Sequence, residues 1–179
     1  MNKDGVINDA DKTKIGDPFP DFTMGWNLNL EYKSFDFTAF TYASVGNEVY
    51  RAYERNANYT NKDRMILARW TGAGTATSSK NPRYSFTDAN SNIRVSDRYV
   101  EDGSFIKLKN VQLGYTFPAK MTGKIFSKLR IYAQVRNAFT LTKYTGLDPE
   151  ISGGILDTGV DRGAYPQART YALGIDIKL

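Results

Sequence analysis

Four loop carboxylates are the residues of this sequence that most resemble catalytic groups. Glu101 and Asp102 form one acidic pair, and Asp148 and Glu150 form another. A glycosidase needs two carboxyl groups about 5–10 Å apart, but nothing in the sequence fixes such a pair, and turn capping and loop solvation explain these residues better. The chain contains no cysteine and no histidine, which excludes Cys/His zinc sites and histidine-based nucleophilic triads. We therefore expect that the chain is not an enzyme.

The N-terminal residues contain a candidate calcium loop. An EF-hand-type loop takes oxygen ligands from positions 1, 3, 5, 7, 9 and 12 and has Gly at position 6. With Gly5 at position 6, the first ligand would precede Met1, and the remaining ligands would be Asn2, Asp4, the Val6 carbonyl, Asn8 and Asp11. We expect Ca²⁺ only in an intact, longer protein and no cofactor in this chain. The alternative is that Asp-Gly and Asn-Asp are ordinary turn residues.

Aromatic residues between the regular segments are candidates for contacts with a substrate or a partner. They are Trp70, Tyr84, Tyr99, Tyr144 and Tyr165. Such rings stack on sugars and are enriched at protein interfaces. The alternative is that they pack the loops against one another, and the sequence does not distinguish between the two. The net charge of +5 is modest and spread along the chain, so we expect no nucleic-acid partner.

Five long segments with alternating polarity must position these residues. Apolar and polar side chains alternate with period two, which is typical of strands with one apolar face. In the last segment Tyr171, Leu173, Ile175, Ile177 and Leu179 alternate with small, polar or charged residues. The apolar phase slips between Leu108 and Val111, which predicts a bulge near Lys109 and Asn110. The segments cover residues 22–33, 35–45, 104–117, 128–141 and 169–179.

The length of these segments suits strands that cross a membrane. About 12 residues at ~3.3 Å each, tilted by ~45°, span about 28 Å, close to the roughly 25 Å apolar band of an outer-membrane barrel. Soluble strands usually have about 5–6 residues. Exclusion of charge from the apolar face fits lipid contact, although a soluble sandwich excludes charge from its inner face too. The charges sorted to the polar face are Glu31, Lys33, Asp36, Arg130, Arg136, Asp176 and Lys178.

The connections alternate between short and long, as in outer-membrane barrels with short periplasmic turns and long extracellular loops. Residues 1–21, 46–103 and 142–168 are predicted to be extracellular, with hairpins over 22–45 and 104–141 and a terminal strand over 169–179. Inside the longest loop, residues 47–58 suggest a short helix. No run of 18 apolar residues occurs, so no transmembrane helix is expected. Five strands cannot close a membrane barrel, since about eight is the minimum.

Short phrases in a fixed order carry a family resemblance. They are GDPFPDF at 16–22, FDF at 35–37, GNEVY at 46–50, RWT at 69–71, SDR at 96–98, EDGSFIKLKN at 101–110, LGY at 113–115, RN at 136–137, YTGLDPE at 144–150 and YPQ at 165–167. This set resembles the C-terminal end of the SusC/RagA family of TonB-linked outer-membrane proteins. The sequence is thus interpreted as an all-β, antiparallel, up-and-down partial barrel from the C-terminal part of a larger transporter.

The resemblance implies a 22-stranded barrel with an N-terminal plug that imports glycans or peptides, with energy from TonB, in the outer membrane of a Gram-negative cell. The implied partners are a SusD-like lipoprotein over the extracellular mouth, outer-membrane lipid, the plug and remaining barrel, and TonB, the last through a part absent here. The terminal strand, Tyr171 to Leu179, would carry the barrel-assembly signal. The family usually ends in an aromatic residue, whereas this chain ends in Leu179.

Two alternatives stay open at this point. One is a soluble β-sandwich that binds carbohydrate through its loop aromatics, and the other is a passive porin without TonB coupling. The position of the apolar face decides the first of them. If Trp26, Leu113, Ile131 and Ile175 converged on one enclosed centre, the importer interpretation would be wrong.

Overall fold

The computed structural model describes residues 4–6, 8–53, 67, 69–75, 81–83, 88, 91–122, 126–151 and 153–179. Its strands, in chain order, are β1 (Phe22–Tyr32), β2 (Phe35–Val45), β3 (Glu48–Arg51), β4 (Val100–Asp102), β5 (Phe105–Thr116), β6 (Lys128–Thr142), β7 (Val160–Asp161) and β8 (Thr170–Lys178). One short helix, α1 (Ala119–Thr122), follows β5, and single 3₁₀ turns occupy Asp9–Asp11, Asp97–Tyr99 and Ile155–Asp157. No helix in the described ranges is long and apolar enough to cross a membrane.

The main sheet contains the five long strands in the order β1-β2-β5-β6-β8. Every neighbouring pair is antiparallel, and each long strand begins and ends within one residue of its predicted bounds. The all-β, up-and-down fold class is therefore confirmed. Because β1 and β8 lie at opposite edges of an open sheet, this part of the chain forms a partial barrel wall that is not closed.

The predicted bulge lies where the apolar phase slips. In the pairing of β2 with β5, Phe40 faces Asn110 and Thr41 faces Leu108, so Lys109 is the extra residue. The pairing of β5 with β6 shifts at the same level, where Asn137 takes a positive φ of 50°. An extra residue lets apolar side chains before and after the bulge stay on one face of the sheet.

The apolar face of the main sheet is exposed and does not form a core. Trp26, Leu113, Ile131 and Ile175 keep 55%, 51%, 43% and 65% of their surface accessible, so they do not converge on an enclosed centre. A sandwich would bury such a face against a second sheet. The soluble-sandwich alternative is therefore not supported, and the face has the composition and exposure of a lipid-contacting surface.

A second, small sheet joins two of the long loops. Its strand order is β4-β3-β7, with β3 antiparallel to β4 and parallel to β7. The predicted helix over 47–58 is wrong in its described part, because Glu48 pairs with Asp102 and Tyr50 with Val160. Pairing with distant segments overrides the local pattern here, and residues 54–58 lie outside the described residues.

Candidate functional site

A guanidinium fork crosses the polar face near the short turns. Arg130 on β6 donates from Nη2 and Nε to the Asp36 carboxylate on β2, at 2.6 and 2.9 Å. Its Nη1 donates to Asp176 on β8 at 2.9 Å. Gly114 on β5 lies between these strands, and a side-chain carbon there would overlap both Asp36 and Arg130. The bidentate geometry that Arg offers to carboxylates therefore links β2, β6 and β8, across β5.

A second charged cluster occupies the other end of the same face. Lys107 Nζ on β5 donates to Asp148 at 2.8 and 3.1 Å and to Glu150 at 2.9 Å. Lys109, the bulge residue, also pairs with Glu150. Asp148 and Glu150 belong to the long loop after β6, so the cluster joins this outer loop to the barrel wall. Balanced charges and several hydrogen bonds make burial of these groups tolerable.

The Asp148 carboxylate should hold its charge in mild acid. Burial opposes its ionisation, but hydrogen bonds from Lys107 and from the backbone N–H groups of Glu150 and Gln167 outweigh burial and keep the pKa of Asp148 below its usual value. A lowered folded-state pKa gives stability that is present above the unfolded value, about 3.9, and is lost as the pH falls through the folded value.

We predict a specific pH dependence from this shift. The melting temperature of the folded protein should exceed that of an Asp148→Asn variant by a constant amount between pH 7 and about pH 5, and the difference should close below about pH 4. Thermal unfolding in detergent at several pH values measures it. A difference that disappears already near pH 6 would contradict the lowered pKa.

A buried polar hub holds the outer loops together. Arg51 on β3 is ion-paired with Glu101 on β4 at 3.1 Å and donates to the Thr145 hydroxyl at 3.2 Å. The Tyr144 hydroxyl donates to Asp161 on β7 at 2.6 Å. Burial, and this hydrogen bond, raise the pKa of the Tyr144 phenol, so it keeps its proton and acts as a donor.

The N-terminal stretch joins the same group of loops. The backbone N–H of Asp17 donates to the Glu48 carboxylate at 2.8 Å, and the Glu48 N–H donates to the Asp17 carbonyl at 2.8 Å. Gly159, with φ of 72°, packs against Pro18. Parts of the three segments predicted to be extracellular, 1–21, 46–103 and 142–168, are therefore in mutual contact.

The structure separates the five candidate aromatics. Tyr99 and Tyr144 are buried, and their hydroxyls donate to the Asn92 carbonyl and to Asp161. These two rings pack the loops, which is the second of the two interpretations that the sequence left open, and buried rings present no face to a ligand. Trp70 and Tyr165 are exposed and remain candidates, while Tyr84 lies outside the described residues.

The four loop carboxylates all have structural partners. Glu101 accepts from Thr145 as well as from Arg51, and Asp102 accepts from the Ser104 N–H at 2.9 Å. Asp148 and Glu150 pair with Lys107 and Lys109, and these four residues are called the lysine cluster below. Asp148 and Glu150 are neighbours, but both are neutralised by the Lys107 ammonium, which donates to each of them. Sequence reasoning missed Lys107 and Asp161, because a single charged residue in a strand or loop gives no signal of its partner.

The candidate calcium ligands form a local turn. Asp4 accepts from the Val6 N–H at 2.7 Å, Asn8 caps the 3₁₀ turn, and Asp11 accepts from the Asn8 N–H at 3.1 Å. Within the described ranges, no group of three or more carboxylates is placed to hold a metal. Asn2 lies outside the described residues, and calcium binding stays a prediction.

The terminal strand exposes its whole apolar row. Tyr171, Leu173, Ile175, Ile177 and Leu179 are exposed, and β8 pairs on one side with β6. The role of this row in barrel assembly stays a prediction. The main sheet has an exposed apolar face, a polar face with paired charges, and loops at one end that contact one another. These features together define a segment of a transmembrane β-barrel wall.

Comparison with known proteins finds relatives among TonB-dependent receptors. TonB-dependent receptor P3 of Formosa agariphila is 36% identical, over 99% of this chain and 18% of that protein. TonB-dependent receptor SusC of Bacteroides thetaiotaomicron is 32% identical, over 99% of this chain and 17% of that protein. The RagAB peptide importer in its open-open state superposes with a TM-score of 0.67 and 27% identity, over 89% of this chain and 17% of the matched chain. No protein-family model matches the chain.

Over 99% of its length the chain is homologous to TonB-dependent receptors, SusC among them, and its fold matches part of the RagAB importer. It spans less than a fifth of the length of the curated relatives that it matches. The prediction that it is not an enzyme is confirmed by its homology to these receptors.

Proposed function

We propose that this chain forms part of the wall and outer loops of a TonB-dependent importer in the outer membrane of a Gram-negative bacterium. The observation that carries the proposal is the main sheet itself, with an exposed apolar face on one side and charged residues in ion pairs on the other. Lipid on one side and an aqueous lumen on the other require this division.

The imported solute is proposed to be a glycan or a peptide, delivered through a SusD-like lipoprotein at the outer mouth. Support comes from relatives: one is named SusC, and a structural neighbour is described as a peptide importer. Coupling to TonB and closure by a plug are proposed for the receptor as a whole.

Membrane insertion is the first test. The receptor carrying this segment should sediment with outer membranes and enter solution only with detergent. Recovery as a soluble monomer without detergent would support the β-sandwich instead.

Energised uptake is the second test. A strain lacking the receptor should lose growth on one class of substrate, either defined glycans or defined peptides, as its sole source. Growth should return with the receptor only when TonB is functional. Growth that returns equally without TonB would indicate a passive porin.

A further inference from the structure

The lysine cluster joins two limbs of one outer loop to the barrel wall. Lys107 reaches Asp148 and Glu150 on the limb that leaves β6. Asp148 also accepts from the Gln167 N–H at 3.1 Å, on the limb that returns to β8, and from the Glu150 N–H at 3.0 Å. One carboxylate is therefore bonded to the wall and to both limbs of the loop.

Burial makes Lys107 the central member of the cluster. Its side chain is 1% exposed, against 21% for Lys109, and its ammonium donates to both loop carboxylates. Lys109 pairs only with Glu150 in this cluster. Loss of the Lys107 charge would leave two neighbouring carboxylates without their shared cation in a poorly solvated place, a strongly unfavourable change.

The cluster also forms part of a cavity wall. Lys107 and Asp148 line a cavity of about 310 Å³, together with residues from the C-terminal end of β6 and from both limbs of the loop. The other lining residues include Asn137, Phe139, Leu147, Pro166 and Arg169. The position of the loop on the wall therefore sets the shape of this cavity.

A separate set of bonds holds the middle of the same loop. The backbone N–H groups of Tyr50 and Ala52 donate to the carbonyls of Gly159 and Asp161, at 2.8 and 2.7 Å. These bonds join β7 to β3 and involve none of the four charged residues of the cluster. The two attachments can therefore be broken independently.

We propose that Lys107, Lys109, Asp148 and Glu150 act as a strap that fixes the base of the outer loop between β6 and β8, residues 143–169, to the barrel wall. The strap is separate from the attachment of β7 to β3, and it holds the cavity between loop and wall in one shape. The inference concerns the loop position and does not depend on the solute that the receptor carries.

Hydrogen–deuterium exchange of the assembled receptor in detergent tests the strap. In Lys107→Met, peptides containing the amides of Glu150 and Gln167 should exchange faster by about tenfold or more, because local opening no longer breaks the charged bonds. Peptides containing Tyr50 and Ala52, and those from strands β5 and β6, should keep the wild-type rate. Lys109→Met is the matched control, with a smaller increase near Glu150 only.

Asp148→Asn provides a second variant that leaves the wall sequence unchanged, and it should reproduce the faster exchange at Glu150 and Gln167. Unchanged exchange at these amides in both variants overturns the proposal. So does faster exchange throughout β5 and β6 in both, because the cluster would then stabilise the wall as a whole. The uptake assays above are unaffected by either outcome, so the two proposals fail separately.

Discussion

Leu113→Arg should prevent most of the receptor from assembling in the membrane. Leu113 lies on the exposed apolar face of β5, in a row with Leu30, Phe37, Ala133 and Leu173. A guanidinium facing lipid costs about 2 kcal/mol or more, falling toward the interfaces. Most stable domains have only a modest margin, so the folded fraction should drop severalfold. Heat-modifiable migration on gels and urea unfolding in lipid vesicles measure the change.

Gln112→Arg is the matched control for this substitution. Gln112 is the preceding residue on the same strand, and alternation places it on the polar face, paired with Thr38 and Gln134. The same charge at almost the same depth then faces the lumen, where a change within about 0.5 kcal/mol is expected. Equal loss of assembly in the two variants would contradict the lipid-facing assignment.

The long strands could be predicted from the sequence because their signal is local. Period-two alternation over about a dozen residues is visible in any window, and even the bulge at Lys109 follows from a slip in that alternation. The small loop sheet could not be predicted. Its strands have two to four residues, and they are stabilised by partners up to 110 positions away, as between Tyr50 and Val160.

The sequence predicted which face of the sheet the charged residues occupy, but it did not predict which residues they pair with. Charge sorting placed Asp36, Arg130 and Asp176 together on the polar face, but strand order decides that Arg130 reaches both carboxylates. Lys107 meets Asp148 only because an outer loop folds back onto the wall. Ring type alone likewise could not show that Tyr99 and Tyr144 are buried while Tyr165 is exposed.

The polar face has its charge pairs at the two ends of the strands. The Arg130 fork lies toward the short turns and the Lys107 strap toward the long loops. Uncharged carboxamides lie between them, with Gln134 donating to Asn110 at 2.7 Å. The charges of each cluster are paired with residues of other strands or of a loop. Each cluster therefore connects backbone segments that are not joined by hydrogen bonds between adjacent strands.

Arg130→Ala should destabilise the folded wall at the end of its polar face that lies near the short turns. Removal of one partner from a buried ion pair costs about 3–5 kcal/mol. Asp36 and Asp176 are 28% and 56% exposed here, so solvent screens part of the loss, and about 2 kcal/mol is expected. Arg130→Lys should recover little, because an ammonium cannot reproduce the bidentate fork.

Two comparisons separate loss of the fork from loss of a long side chain. Arg136→Ala removes an exposed arginine from the same face of the same strand and should change the unfolding free energy by about 0.5 kcal/mol or less. In an Arg130→Ala background, Asp36→Asn should restore part of the loss, because it removes a carboxylate left without its cation. Denaturant unfolding in detergent of the wild type, Arg130→Ala, Asp36→Asn and the double variant gives the coupling energy. If Arg130→Ala and Arg136→Ala were equally mild, Arg130 would be a solvated lumenal residue, and the sheet would depend on its backbone ladder alone at this end.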